Sequence, residues 1–155
     1  MRILVLSDSH RNKFNLSQAI KNQLNADIVV FLGDGEGDFD SCRSLIKTPQ
    51  VYAVRGNCDF YSPLSDSQII EANGVRVYIT HGYKEFVKHG TEKLFETARQ
   101  YDCAVALYGH THVQKYEYID GIHIYCPGSL SNEEYGVVDI TNNGIMCINM
   151  KCRWD

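Results

Sequence analysis

Five short apolar runs in this chain each end on residues that bind metal ions, and few folds accommodate that pattern. The segments are Asp8-Ser9-His10, Gly33-Asp34, Gly56-Asn57, Thr80-His81-Gly82 and Gly109-His110-Thr111-His112, and each follows a stretch that reads as a β-strand. Parallel neighbouring strands would carry Asp8, His10, Asp34, Asn57, His81, His110 and His112 to the carboxyl edge of one sheet, where open α/β sheets place their ligands. Such convergence is the arrangement of a dinuclear metal centre.

The elements between these segments fit the expectation. Ile3–Leu6 is a continuous apolar strand, and residues 15–24 put Leu16, Ala19, Ile20 and Leu24 on one helical face. A second strand runs through residues 28–32, a polar loop and a short helix over 41–46 follow, and residues 51–54 form a third strand. The connections are long enough for parallel crossovers. Residues 68–71 and 75–79 flank Ala72-Asn73-Gly74, whose Asn-Gly favours the positive φ of a hairpin turn. Residues 91–101 read as a helix with Thr91 at its N-cap, and 104–108 as a buried strand. Two further hairpins, 115–119 with 122–126 and 136–140 with 145–150, turn at Asp120-Gly121 and Asn142-Asn143-Gly144. The fold class is α/β: two mixed sheets packed face to face with helices outside, in one domain over residues 1–155.

Asp8 and His10 are two apart, so extended backbone sends both side chains to one side, where a carboxylate oxygen and an imidazole nitrogen can share one ion. A capped loop explains the pair equally well. Asp34 ends a strand with no packing use for a carboxylate, and it can bridge two cations by giving one oxygen to each. An exposed Gly-Asp turn is the plainer alternative. The neutral amide of Asn57 and the nitrogens of His81, His110 and His112 complete a mixed O/N set, which suits Mn, Fe, Ni, Co or Zn better than Ca or Mg. Burial alone gives no reason for two imidazoles in Gly-His-Thr-His straight after a buried strand. His89 and His123 lack strand-end placement. Asp38 and Asp40 read as a solvated loop, and Ser129 in Pro127-Gly128-Ser129 as a turn. Tyr116, Tyr118, Tyr125 and Tyr135 make an aromatic-rich tail that serves either packing or a subunit contact in a homo-oligomer.

Size and charge narrow the partners. A chain of 155 residues can bury a full core without staples. The formal charge of −4 and the lack of any basic run argue against binding long nucleic acid, but two divalent cations would offset that charge locally for a small phosphate ester. The amino-terminal apolar stretch is too short for a signal peptide or a membrane span, and six cysteines without a C-x-x-C pair fit a reduced cytoplasmic setting.

The ordered set Asp8-x-His10, Gly33-Asp34, Gly56-Asn57-Cys58-Asp59, His81-Gly82 and Gly109-His110-Thr111-His112 resembles the calcineurin-like metallophosphoesterases, specifically their small single-domain bacterial and archaeal phosphodiesterase branch. The resemblance spans positions 3 to about 130. It implies that Asp8, His10, Asp34 and His112 hold one metal, and Asp34, Asn57, His81 and His110 the second. It further implies two divalent ions, Mn foremost, about 3.5–4 Å apart, with a metal-bridging hydroxide attacking phosphorus. Asp34, Asn57 and His81 are then the catalytic set. Where the family often has a histidine after the asparagine, this chain has Cys58, whose thiol matches leaving-group protonation poorly. Asp59 is expected to orient a neighbouring ligand.

The expected activity is hydrolysis of a small phosphodiester, with phosphomonoester hydrolysis at the same site as the close variant. A non-catalytic scaffold like the retromer subunit of this fold is the competing class, because fold does not fix function. Decay of that kind replaces ligands with non-ligands, and here all seven remain competent. A purely structural metal site fits less well, since such sites close with four Cys or His ligands.

Overall fold

In a computed structural model, residues 1–153 are described. The first sheet is built from β1 (Arg2–Leu6), β2 (Ile28–Phe31), β3 (Val51–Ala53), β9 (Glu134–Thr141) and β10 (Gly144–Lys151), in the order β10-β9-β1-β2-β3. The second contains β4 (Ser67–Ala72), β5 (Val75–Thr80), β6 (Val105–Leu107), β7 (Gln114–Ile119) and β8 (Ile122–Pro127), in the order β4-β5-β6-β8-β7. Helices α1 (Lys13–Asn22) and α2 (Glu36–Cys42) cover the first sheet, and α3 (Glu92–Gln100) covers the second.

Strand alternation explains why the inner strands are apolar throughout. Ile3, Val5, Ile28 and Val30 face the second sheet, where they meet Val77, Ile79, Val105 and Leu107. Their neighbours Leu4, Leu6, Val29 and Phe31 face the opposite way, onto Leu16, Ala19, Ile20 and Phe39 of the helices. Both faces of the sheet are therefore buried, as parallel strands require. Tyr78, Ala106 and Ile124 do the same on the outer face of the second sheet against Leu94 and Ala98. The layers run helix, sheet, sheet, helix.

β1, β2 and β3 pair in parallel, as their crossovers predict. β4–β5, β7–β8 and β9–β10 are antiparallel hairpins. Asn73-Gly74 and Asp120-Gly121 carry positive φ at both turn positions (51° and 77°, 46° and 83°), the geometry that matches strand twist.

Several local expectations shift. The seven candidate ligands sit not on one sheet edge but on two: Asp8 and His10 follow β1, Asp34 follows β2 and Asn57 follows β3, whereas His81 follows β5 and His110 and His112 follow β6 across the sandwich. Helix α1 starts earlier than residue 15 because the Asn12 side chain caps it, accepting the Asn15 N–H at 3.0 Å. It ends before Leu24, which is exposed. The short helix expected over 41–46 is displaced: α2 starts at Glu36, inside residues read as a polar loop, and only a 3-10 turn (Arg43–Leu45) continues past Cys42, because Phe39 and Cys42 alone anchor the helix and two apolar residues make no periodic stripe. Phe39 stacks on Phe31 with centroids 4.7 Å apart. Thr91 precedes α3, but its hydroxyl donates to Glu117 at 3.0 Å instead of capping the helix. Tyr125 and Tyr135 are core residues, which removes them from any subunit contact and leaves Tyr116 and Tyr118 exposed. Among the described residues no helix is long and apolar enough to cross a membrane.

Candidate metal centre

The loops after β1, β2, β3, β5 and β6 meet at one end of the sandwich. Five of the seven candidate ligands there have left-handed backbone: Asp8 (φ 55°), His10 (43°), Asp34 (59°), His110 (70°) and His112 (61°). The Asp-x-His pair therefore converges through left-handed turns and not through extended backbone. Non-glycine residues pay for this conformation, so its concentration here marks a site held by its surroundings.

Glycines allow the loops to approach one another. A Cβ on Gly33 would lie 2.4 Å from the Gly56 nitrogen, and one on Gly109 would lie 2.0 Å from Ser7 Oγ. These contacts explain why Gly precedes the ligand in three of the segments.

Both carboxylates are anchored by one oxygen and free at the other. Asp8 Oδ2 accepts from the Ser7 hydroxyl and from the His110 N–H (3.0 Å), leaving Oδ1 facing His112 Nε2 at 3.1 Å and His10 Nε2 at 3.3 Å. Asp34 Oδ1 accepts the Cys58 N–H at 2.8 Å, while Oδ2 faces His81 Nε2 at 3.3 Å and His10 Nε2 at 3.6 Å. Oδ2 is therefore the Asp34 oxygen that lies between the two groups of donors, while Oδ1 points toward the loop after β3.

Donor spacing tests whether this set fits a metal. Asp8 Oδ1 and the Nε2 atoms of His10 and His112 form a triangle with edges of 3.1, 3.1 and 3.3 Å. His81 Nε2 lies 3.0 Å from Asn57 Oδ1, 3.2 Å from His110 Nδ1 and 3.3 Å from Asp34 Oδ2. Donors bonded to one ion at about 2.1 Å are separated by about 3.0–3.4 Å in octahedral or tetrahedral geometry. The residues fit. His81 Nδ1 contacts the Leu32 carbonyl at 2.7 Å, so a proton placed there leaves the Nε2 lone pair facing the cluster.

In the metal-free site His81 and His112 and the two carboxylates hold one another charged: burial opposes protonation of His81 but Asp34 and Asp8 raise it, and the Asp8 hydrogen bond raises His112, so a metal would displace a proton from each. Burial opposes ionisation of Asp34, but the hydrogen bond and charge of His81, with the Cys58 N–H, outweigh it and hold the carboxyl at about 2. Asp8 is likewise lowered, burial being overcome by His112, His81 and Ser7. Burial and the neighbouring His81 push His110 down to about 4, which keeps its imidazole neutral and able to donate a lone pair.

Asp59 organises the centre without facing the donors. Its carboxylate accepts four backbone N–H groups, those of Asp34 (2.8 Å), Gly35 (2.9 Å), Glu36 (3.0 Å) and Gly56 (2.8 Å), and so ties the loop after β2 to the loop after β3. Asp59→Ala should lower stability by about 2–3 kcal/mol and weaken metal binding, since charge-assisted bonds to the Asp34 loop are lost. Urea unfolding of the metal-free protein and a metal titration read the two effects separately.

Other placements were not evident from residue type. Ser7 is fully buried beside Asp8, and only its place between an apolar strand and the aspartate hints at a role. Asp38 accepts from Ser9 Oγ (2.6 Å) and the Arg11 N–H (2.9 Å), which fixes the loop around His10. Ser129 is buried, donates to the Asp8 carbonyl at 2.8 Å, and accepts from the Ser131 N–H. It is a turn residue supporting Asp8. Cys58 is exposed, with its sulfur grouped with His10 and Asp34, and partial burial beside Asp34 pushes its thiol up from the ordinary value. His89 and His123 take no part in the donor groups.

Residues 1–143 match the family model of the calcineurin-like phosphoesterase superfamily domain, and the chain belongs to that family. It is a metallophosphoesterase, a phosphoric ester hydrolase. A probable metallophosphoesterase of Mycoplasma pneumoniae is 30% identical over 132 residues, covering 83% of this chain and 79% of the relative. Phosphodiesterase MJ0936 of Methanocaldococcus jannaschii is 26% identical, covering 90% of each. Among solved structures, a predicted phosphoesterase from Streptococcus pneumoniae superposes with a TM-score of 0.81 at 24% identity, over 97% of this chain and 88% of that one. Vps29 of Entamoeba histolytica complexed with zinc superposes at 0.72 and 19% identity, over 99% of this chain and 100% of that one. At these identities both structural likenesses are of fold.

Proposed function

We propose that the chain hydrolyses small phosphodiesters at a centre of two divalent ions. The observation that carries this reading is a pair of donor groups with metal-like spacing that share Asp34 Oδ2: Asp8, His10 and His112 on one side, Asn57, His81 and His110 on the other. The mixed O/N donors favour Mn, with Ni, Fe, Co and Zn compatible. When bound, such ions supply Lewis-acid charge to the phosphoryl group and acidify water.

The protein's own residues do the rest. Ser7 and the His110 N–H aim Asp8, Cys58 N–H aims Asp34, and Leu32 aims His81, so the donors need little rearrangement. Two recesses flank the centre, one of about 300 Å³ bordered by Asn57 and His81, the other of about 380 Å³ bordered by His10 and Asp34. Each ester substituent of a diester has a space beside the phosphorus, which supports a diester over a monoester. The protein loaded with Mn should carry two equivalents and turn over bis(4-nitrophenyl) phosphate faster than 4-nitrophenyl phosphate. Stoichiometric metal without hydrolysis of either ester would instead support the scaffold role.

Cys58 sets the leaving-group preference. A thiol pushed above its ordinary value is a weak proton donor at neutral pH, so good leaving groups are favoured. Cys58→His should raise kcat/KM about tenfold or more for diesters with alkyl leaving groups and change it little for 4-nitrophenyl leaving groups. Rates across a series of leaving-group pKa values would show this as a shallower slope.

A further inference from the structure

The two recesses differ in chemistry. The one beside His10 and Asp34 is walled by the loop carrying Glu36 and Asp38 and shares only Phe60, of the aromatics, with its neighbour. The one beside Asn57 and His81 is lined by Phe60, Tyr61 and Tyr83, and all three aromatics are exposed, Phe60 to 79% and Tyr83 to 56%. Exposed aromatic surface gathered at one concave spot marks a place for a ligand. Tyr83 is held edge-on to His110, with centroids 5.6 Å apart and planes at 86°, which fixes its ring relative to the candidate centre. Tyr61 is fully exposed and has left-handed backbone (φ 62°). The far end of the recess is polar: Arg55 Nε donates to Asp66 at 2.8 Å and Lys84 pairs with the same carboxylate, leaving unused N–H donors around a trio of net charge +1.

We infer that the recess beside Asn57 and His81 is a subsite for a flat aromatic ester substituent, so that the substrates are nucleotide-type and not glycerol-type phosphodiesters. Phe60 and Tyr83 supply stacking faces, and the Arg55–Asp66–Lys84 trio meets the polar edge of a base. Stacking of one base on an aromatic side chain is strong enough to give a tenfold preference. The recess of about 300 Å³ lies at the small end of ligand sites, which suits one nucleoside and not a longer strand. This assignment rests on the metal-centre reading, because that centre places the phosphorus at the mouth of the recess.

The test is calorimetric binding of adenosine 5′-monophosphate and glycerol 3-phosphate to the full, Mn-loaded chain, with hydrolysis of thymidine 5′-(4-nitrophenyl) phosphate and glycerophosphoethanolamine alongside. The nucleotide should bind at least tenfold more tightly. In a Phe60→Ala/Tyr83→Ala double variant the ratio of the two affinities should fall below threefold, while Tyr118→Ala, a remote exposed aromatic, leaves the ratio intact. Both substituted side chains are exposed, and circular dichroism checks that the double variant folds. Equal affinities in the parent chain, or a ratio preserved in the double variant, would overturn the subsite alone. If neither phosphate binds and neither diester is hydrolysed, the metal-centre reading and the subsite are overturned together.

Discussion

Asp34→Asn should lower diester turnover by three orders of magnitude or more and remove at least one equivalent of bound metal. The size of the effect follows from where Asp34 stands. Its Oδ2 is the one atom that faces His10 of one donor group, at 3.6 Å, and His81 of the other, at 3.3 Å. Asparagine is nearly the same size, so packing survives, but it carries no charge. One of its two terminal positions is an NH₂, which either clashes with the Cys58 N–H now bound by Oδ1 or turns toward two histidines that offer lone pairs. Either orientation spoils the junction. Metal analysis by mass spectrometry beside single-substrate kinetics checks both halves. A variant that retains two equivalents of metal and a tenth or more of the parent rate would rule out a bridging role.

Gly56→Ala should be nearly as damaging, although it changes no ligand. A Cβ there would sit 2.0 Å from Asp34 Oδ1 and 2.5 Å from the Asp34 nitrogen, and neither atom can yield freely. Asp34 Oδ1 is pinned by Cys58, and the Asp34 N–H by Asp59. The added methyl must therefore push apart the loops after β2 and β3. Overpacking of this kind costs about 1–3 kcal/mol, which a domain with a full core tolerates. The expected result is a folded protein with a lower unfolding midpoint, metal affinity reduced at least tenfold and diester turnover reduced at least a hundredfold. Unchanged metal affinity would show that the loops tolerate separation.

The part of the fold legible in the sequence is the part written in side-chain periodicity. Ile3–Leu6 and residues 28–32 are apolar at every position, which only burial on both faces explains, and Asn73-Gly74 and Asp120-Gly121 state their turns outright. Helix α2 was hidden because its hold on the sheet comes from Phe39 and Cys42 alone. The seven candidate donors were legible by type and by strand-end position, but their division between two sheets was not, since no local signal says which strands share a ladder. Asp59 was legible as a residue that orients a neighbouring ligand, though not the four main-chain N–H groups it accepts. The other supports were hidden because the Leu32 carbonyl and the Cys58 N–H are main-chain groups, which nearly every residue carries and no sequence distinguishes.

Five donor positions adopt a main-chain shape that glycine would accept with less penalty than aspartate or histidine. For the three histidines folding alone gives little reason for such a backbone, whereas Asp8 and Asp34 offset part of the penalty by accepting the His110 and Cys58 N–H groups. Under the proposed function it is metal binding that accounts for aspartate and histidine at these positions.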